Sequence, residues 1–198
     1  VLDAALEVLA ARGLEGLNLR AVAARLKASA GTLYNYFDNK QALLEAVLAR
    51  VLDPVLCGEV GIDDWRADLR TVLVAFNGAL RAHPAAVALL SAGVGAERMD
   101  PIRERLLGLL FEAGLSGPDQ VRALNMVIAH TIGDVVVHQS HLRSHGPAEL
   151  ARRRSLPADV YPHVHETAHM DLAEPDTDAF LLGLDALLDT VASAHNVG

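Results

Sequence analysis

At 198 residues the chain has room for one or two compact domains and too little length for a large multidomain enzyme. Its composition is 52% apolar, 21% charged and only 4% aromatic; that is enough apolar material for a sizeable core, which excludes wholesale disorder, and the Ala, Leu and Val excess favours helices over sheets. The net charge of −8 argues at first sight against a nucleic-acid partner, yet residues 1–50 hold six basic against five acidic side chains, so the acidity belongs to the rest of the chain.

Val1 already falls inside a helical pattern, so the natural chain is expected to begin before it. Leu2, Ala5, Leu6 and Leu9 repeat at i, i+3, i+4 and i+7, an amphipathic helix expected to end at Gly13. Asn18 is placed to cap a short second helix with Val22, Ala23 and Leu26 inward. Ser29 can cap a third, running through Leu33, Tyr34 and Phe37. A fourth begins near Asn39–Lys40, presents Leu43, Leu44, Val47, Leu48 and Val51, and is expected to stop at Pro54.

Beyond the connector at 54–63 the helices lengthen. Asp63 or Asp64 opens a segment with Leu69, Val72, Leu73, Phe76 and Leu80 inward, broken at His83–Pro84. Apolar residues from Val87 to Leu90 precede a break at Gly93–Gly95, and Ile102 to Phe111 reads as a further helix closed by Gly114. Pro118 suits the first position of a helix running to about Leu142. Residues 143–160, with the basic triplet Arg152–Arg154, read as loose, and a short helix is expected between Pro162 and Leu172. Asp176 opens the last, with Phe180, Leu181, Leu184, Leu187, Leu188 and Val191 inward. Strand alternation and repeats are absent. The expected class is all-α in two parts: a small N-terminal bundle over 1–52 and a larger helical domain over 53–198.

The second and third helices, with a turn near Lys27–Ala28, make a helix-turn-helix. In that motif the second helix enters the major groove by its N-terminal residues. Here those are Ala30, Gly31 and Thr32, small enough for close approach to base edges. Tyr34 and Tyr36 can reach phosphate oxygens, and Lys40 at a helix N-terminus is suited to clamp one phosphate. Leu17, Val22, Ala23, Leu26, Leu33, Phe37 and Leu43 read simply as core.

Gly13-Leu-Glu-Gly-Leu17, Arg20-Ala-Val-Ala23 with Leu26, Thr32-Leu-Tyr34, and Tyr36-Phe-Asp-Asn-Lys40 followed by Leu43-Leu44 resemble the TetR family of bacterial one-component repressors. The resemblance implies that Arg20, Ala30, Gly31, Thr32 and Tyr34 face bases and adjoining backbone, and that Tyr36 and Lys40 meet phosphates. Lys27 departs from the pattern, since the family commonly has Gly in this turn, and a left-handed backbone costs Lys more than Gly. Trp65, Phe76, Gly114, His130-Thr-Ile-Gly133 and Ala179-Phe-Leu-Leu-Gly-Leu184 are similar to the regulatory domain of the tetracycline-repressor subgroup. That similarity implies a homodimer joined by the two longest C-terminal helices. The helix over about 119–142 agrees, being apolar around much of its circumference (Val121, Leu124, Val127, Ile128, Ile132, Val135, Val136). Gly133 and Gly183 would permit close helix approach.

The same resemblance implies an effector cavity lined by Phe76, Leu90, Gly93, Leu106, Leu110, Val121, Leu124, Asn125 and Ile128. Asn125 is polar among apolar neighbours in sequence and so calls for a partner, protein or ligand. Leu90 stands where the tetracycline repressors hold a chelating histidine, so a largely apolar, unchelated effector is expected and no cofactor. Nine histidines suggest metal, and His165-Glu-Thr-Ala-His169 fits H-E-x-x-H, two histidines one helical turn apart with a glutamate to activate water. His163, Asp171 and Glu174 lie nearby, while His138, His141 and His145 read as a polar helix end. By resemblance the 163–169 segment is the short helix that laps over the partner subunit's pocket.

The expected function is therefore a DNA-binding regulator, a repressor released from a near-palindromic operator by a small molecule. A zinc-dependent hydrolase on His165, Glu166 and His169 is the alternative. The single cysteine, Cys57, excludes an internal disulfide framework and suits a reducing cytoplasm, the expected location. No apolar run reaches the ~18 residues a membrane span needs, so no membrane association is expected.

Overall fold

A computed structural model describes residues 1–56, 64–144, 147–168 and 177–195. The fold is all-α, and no strand occurs among the described residues. The first helix, α1 (Leu2–Gly16), buries Ala5, Leu6 and Leu9, with Leu2 half-buried. Gly13 breaks its regular path where expected, at φ 66 and ψ −175, a conformation essentially reserved for glycine. α2 (Leu19–Leu26) and α3 (Ala30–Tyr34) follow, each started by its side-chain cap.

Three features of the first four helices differ from the sequence expectation, each for a local reason. α3 stops at Tyr34, and Phe37 lies beyond it in a turn where the Tyr36 and Phe37 amides both donate to the Leu33 carbonyl. Leu26 is 39% exposed, because it ends α2 at the turn instead of packing beneath it. α4 (Lys40–Leu56) runs through Pro54, which in the last turn removes only one helical hydrogen bond while Val55 remains buried.

α5 (Trp65–Ala82) is capped by Asp64, whose carboxylate accepts from the amides of Arg66 (2.9 Å) and Ala67 (3.2 Å). Its predicted inner face is fully realised: Leu69, Val72, Leu73, Phe76 and Leu80 are buried. α6 (Ala86–Ser91) gives way at Gly93 and Gly95, both at positive φ. α7 (Ala96–Glu112) starts six residues before Ile102, since Pro101 sits inside it and Met99 and Ile102 anchor its opening turns in the core. α8 (Gly117–Ser144) opens on Gly117 at φ 56, with Pro118 in the first turn.

Residues 147–154, read as loose, form α9 (Pro147–Arg154). Glu149 accepts from Arg152 at 2.6 and 2.7 Å and from Arg153 at 3.1 Å. Arg154 Nε donates to the Ala168 carbonyl (3.1 Å), tying α9 to α10 (Pro162–Thr167). α11 (Thr177–His195) buries Phe180, Leu184, Leu188 and Val191, with Leu181 and Leu187 half-buried; Asp176 lies outside the described residues.

One hydrophobic core runs from Ala4 to Val191. α5 occupies its middle, packed on α4, α7, α8 and α11, while α4 touches α1 on one side and α5, α6 and α7 on the other. α4 is thus the rod that joins the small N-terminal bundle to the larger layer. No described helix is long and apolar enough to cross a membrane.

Candidate nucleic-acid interface

The helix-turn-helix is built by caps. Asn18 Oδ1 accepts from the Ala21 amide (2.9 Å), which starts α2 with Leu19, Val22 and Ala23 turned inward. The turn closes as a Schellman motif: the Ala28 amide donates to the Ala23 carbonyl (3.0 Å), around Lys27 at φ 54 and ψ 34. Lys27 is the one non-glycine residue at positive φ among the described residues, so the departure noted in the sequence is a left-handed lysine held in place. Ser29 Oγ then accepts from the Thr32 amide (3.2 Å) and lies 2.9 Å from Thr32 Oγ1. Leu33, fully buried, anchors α3 from below.

This anchoring sets the outer face. Gly31 and Thr32 are exposed, and Ala30 is half-buried. Tyr34 and Tyr36 are 50% and 71% exposed, so both phenols are free to reach an external surface. Arg20, Tyr34 and Lys40 come together around one open depression, with Asn18, Leu19, Asp38 and Asn39 completing its walls. Asn39 caps α4 through the Ala42 amide (2.9 Å), and Lys40 Nζ donates to the Leu14 carbonyl (3.1 Å), across to the end of α1. An ammonium has three donors, so two remain for an anion. Arg20 makes no hydrogen bond or ion pair with any described residue, whereas Arg25 is paired with Glu7.

The residues assigned to an effector divide. Phe76, Leu106, Leu110 and Leu124 are buried on α5, α7 and α8, which pack on one another, and Leu90 and Ile128 are half-buried against the same overall core. Gly93, Val121 and Asn125 are exposed. Asn125 therefore has water available, and the expectation that it needs a buried partner is corrected: its position on α8 turns it outward from the apolar residues beside it in sequence.

The sequence reading missed a polar network in this layer. Asn77 on α5 donates through Nδ2 to Asp134 Oδ2 (2.7 Å), and Arg81 grips the same carboxylate through Nε (2.9 Å) and Nη2 (3.0 Å). Nearby, His130 stacks on Phe180 with centroids 5.1 Å apart, and its Nε2 sits 3.0 Å from the Phe180 carbonyl. A Cβ at Gly183 would fall 2.5 Å from His130 Cε1, so Gly183 admits the imidazole of its own chain; one at Gly133 would meet nothing within 4 Å. The partners in the polar network lie 53 to 57 residues apart and carry no local signal in the sequence.

Only part of the H-E-x-x-H segment lies among the described residues. His165 and Glu166 lie on the six-residue α10, while His169, Asp171 and Glu174 fall outside the described residues, as does His145. Among the described residues no three His, Cys, Asp or Glu side chains gather to hold a metal ion.

Comparison with known proteins agrees with the helix-turn-helix geometry. The family of bacterial regulatory proteins, tetR family, matches residues 1–47, and the tetracyclin repressor-like C-terminal domain matches 57–194. The HTH-type transcriptional repressor DrrR1 of Streptomyces coeruleorubidus is 32% identical, over 96% of this chain and 74% of its own length. The tetracycline repressor protein class D of Escherichia coli is 32% identical over 95% of this chain and 85% of its own. The crystal structure of a possible TetR family transcriptional regulator from Streptomyces coelicolor A3(2) superposes with a TM-score of 0.74 at 32% identity, covering 98% and 97% of the two chains. Nothing in these likenesses supports the hydrolase alternative. With its capped helix-turn-helix and a helical second layer matched along its length, the chain belongs to the TetR family of DNA-binding transcriptional regulators, which are not enzymes.

Proposed function

We propose that this protein is a repressor that holds a near-palindromic duplex as a homodimer and releases it when a small, largely apolar effector enters its second domain. In this reading residues 1–52 are the DNA-binding domain and 53–198 the effector and dimerisation domain, with α4 shared between them. Arg20, Ala30, Gly31, Thr32 and Tyr34 face bases and adjoining backbone, and Tyr36 and Lys40 meet phosphates. The observation that carries the proposal is the gathering of Arg20, Tyr34 and Lys40 on one open face, beside an exposed first turn of α3.

Support for the dimer comes from α8 and α11, which pack on each other and still expose apolar side chains. Met126, Val136 and Val137 on α8 and Leu182, 75% exposed, on α11 are more apolar surface than a lone helix pair needs. A twofold partner covering them doubles the DNA contact and matches a palindromic site. The effector walls are Phe76, Leu90, Leu106, Leu110, Leu124 and Ile128, with Gly93, Val121 and Asn125 at the solvent margin. Leu90 offers no metal ligand, which favours an unchelated molecule over a magnesium–tetracycline complex. The effector acts by preferring the dimer conformation that does not fit DNA; tight binding to both conformations would move nothing.

Selection of genomic fragments on the immobilised protein tests this reading. Recovery of sequences with an inverted repeat, released by an apolar small molecule that also raises Tm, is the expected result. Recovery of fragments no better than random DNA overturns it.

A further inference from the structure

We propose that the first turn of α3 reads its operator through thymine methyl groups and close van der Waals approach, and not through paired hydrogen bonds to base edges. The inference rests on the DNA-reading role of α3 proposed above and specifies its chemistry.

The argument begins with what that turn offers. Two-point readout of a base in the major groove requires a guanidinium for guanine or a carboxamide for adenine. Ala30 and Gly31 have neither, and the two hydroxyls of the turn are bound to each other, Ser29 Oγ to Thr32 Oγ1 at 2.9 Å. Ser29 is further committed as the cap of α3 through the Thr32 amide. One hydroxyl hydrogen is left between them, too little for a paired contact. The unengaged end of the exposed Thr32 side chain is its methyl group, which joins the Cβ of Ala30 as apolar surface. The one base feature such a surface distinguishes in the major groove is the C5-methyl of thymine.

Gly31 adds an independent observation. It lies inside a helix and not at positive φ, so its backbone does not require glycine. A Cβ there would meet nothing nearer than Ser29 Oγ at 3.8 Å, so packing does not require it either. Glycine inside a helix costs about 1 kcal/mol relative to alanine. The fold thus bears a cost with no return inside the chain, and the missing side chain is accounted for by an outside surface that comes within its radius: the floor of the groove.

The test uses the full-length chain and its selected operator, with deoxyuridine replacing thymine at each half-site position in turn. Uracil differs only by the methyl group, and each contacted methyl is expected to weaken binding about fourfold per half-site. Thr32→Ser, which removes only the methyl and keeps the hydroxyl bound to Ser29, should lose about the same factor as the uracil duplex. Gly31→Ala should unfold at equal or higher urea concentration than wild type yet bind at least about tenfold more weakly. Selected half-sites without thymine, uracil duplexes bound like thymine duplexes, or a Gly31→Ala protein with undiminished affinity each overturn the proposal. Wild-type binding to the unmodified operator is measured alongside; its failure overturns the DNA-reading role itself, a result distinct from intact binding that ignores the methyl groups.

Discussion

Arg81 holds Asp134 by both carboxylate oxygens, and the pair, with each side chain about 15% exposed, fastens α5 to α8 across 53 residues of sequence. Asn77 donates to the same carboxylate and to the Thr131 carbonyl, so removing Asp134 takes the acceptor from three donor atoms, Asn77 Nδ2 and Arg81 Nε and Nη2, in a poorly hydrated space. Asp134→Ala is expected to lower stability by about 3 kcal/mol. Urea unfolding checks it: the midpoint should fall with the slope unchanged, and the Arg81→Met, Asp134→Ala double variant should lose less than the sum of the two single losses.

Lys27 makes the opposite prediction. Its left-handed conformation costs a lysine about 1 kcal/mol more than a glycine. Lys27→Gly should therefore gain up to about that amount in DNA-free urea unfolding, offset in part by the greater freedom of glycine in the unfolded chain.

These two cases show what was legible in the sequence. Asn18, Ser29 and Asp64 announce their helices because a cap acts within three residues, and the inner face of α5 follows from spacing alone. Lys27 was legible for the same reason, as the wrong residue type in a turn of known shape. The start of α7 was hidden by Pro101, and α9 by a run of arginines whose order depends on Glu149. The Asn77–Asp134–Arg81 network was hidden by distance along the chain. Within the proposed DNA face, Arg20, Tyr34 and Lys40 were named from the sequence, but the bond from Lys40 to Leu14 and the mutual engagement of Ser29 and Thr32 needed coordinates.

Gly183 admits the His130 ring, which stacking on Phe180 and the contact with its carbonyl hold in place. Gly183→Ala should push that ring aside, destabilise the chain by about 1–3 kcal/mol and weaken self-association, because α8 and α11 carry the proposed dimer surface. Gly133→Ala, with open space around it in one protomer, should leave protomer stability intact and raise the dimer dissociation constant. Two measurements separate the effects: urea unfolding reports the first and light scattering across a dilution series the second. A Gly133→Ala protein that dimerises like wild type contradicts the role given to α8.

Glu149 sets a pH limit on α9. Hydrogen bonding from Arg152, with that from Arg153 and both charges adding to it, outweighs desolvation and lowers its carboxyl from 4.5 to about 2. A lowered folded-state value means that the stabilising contribution is complete above about 4.5 and is lost as pH falls towards about 2. The carboxyl carbon resonance of Glu149 should titrate in that acid range, and Arg152→Ala should move its midpoint back towards the ordinary value.

The central claim is that two copies of α3, related by a twofold axis, read one duplex. It is tested most directly by fluorescence anisotropy on the selected operator, at several salt concentrations, for wild type, Tyr34→Ala and Lys40→Ala, with thermal unfolding of each as control. The account predicts two chains per duplex, weaker binding by both folded variants, and a salt slope for Lys40→Ala reduced by about two, one phosphate per half-site. One chain per duplex, or wild-type affinity and slope in both variants, would contradict it.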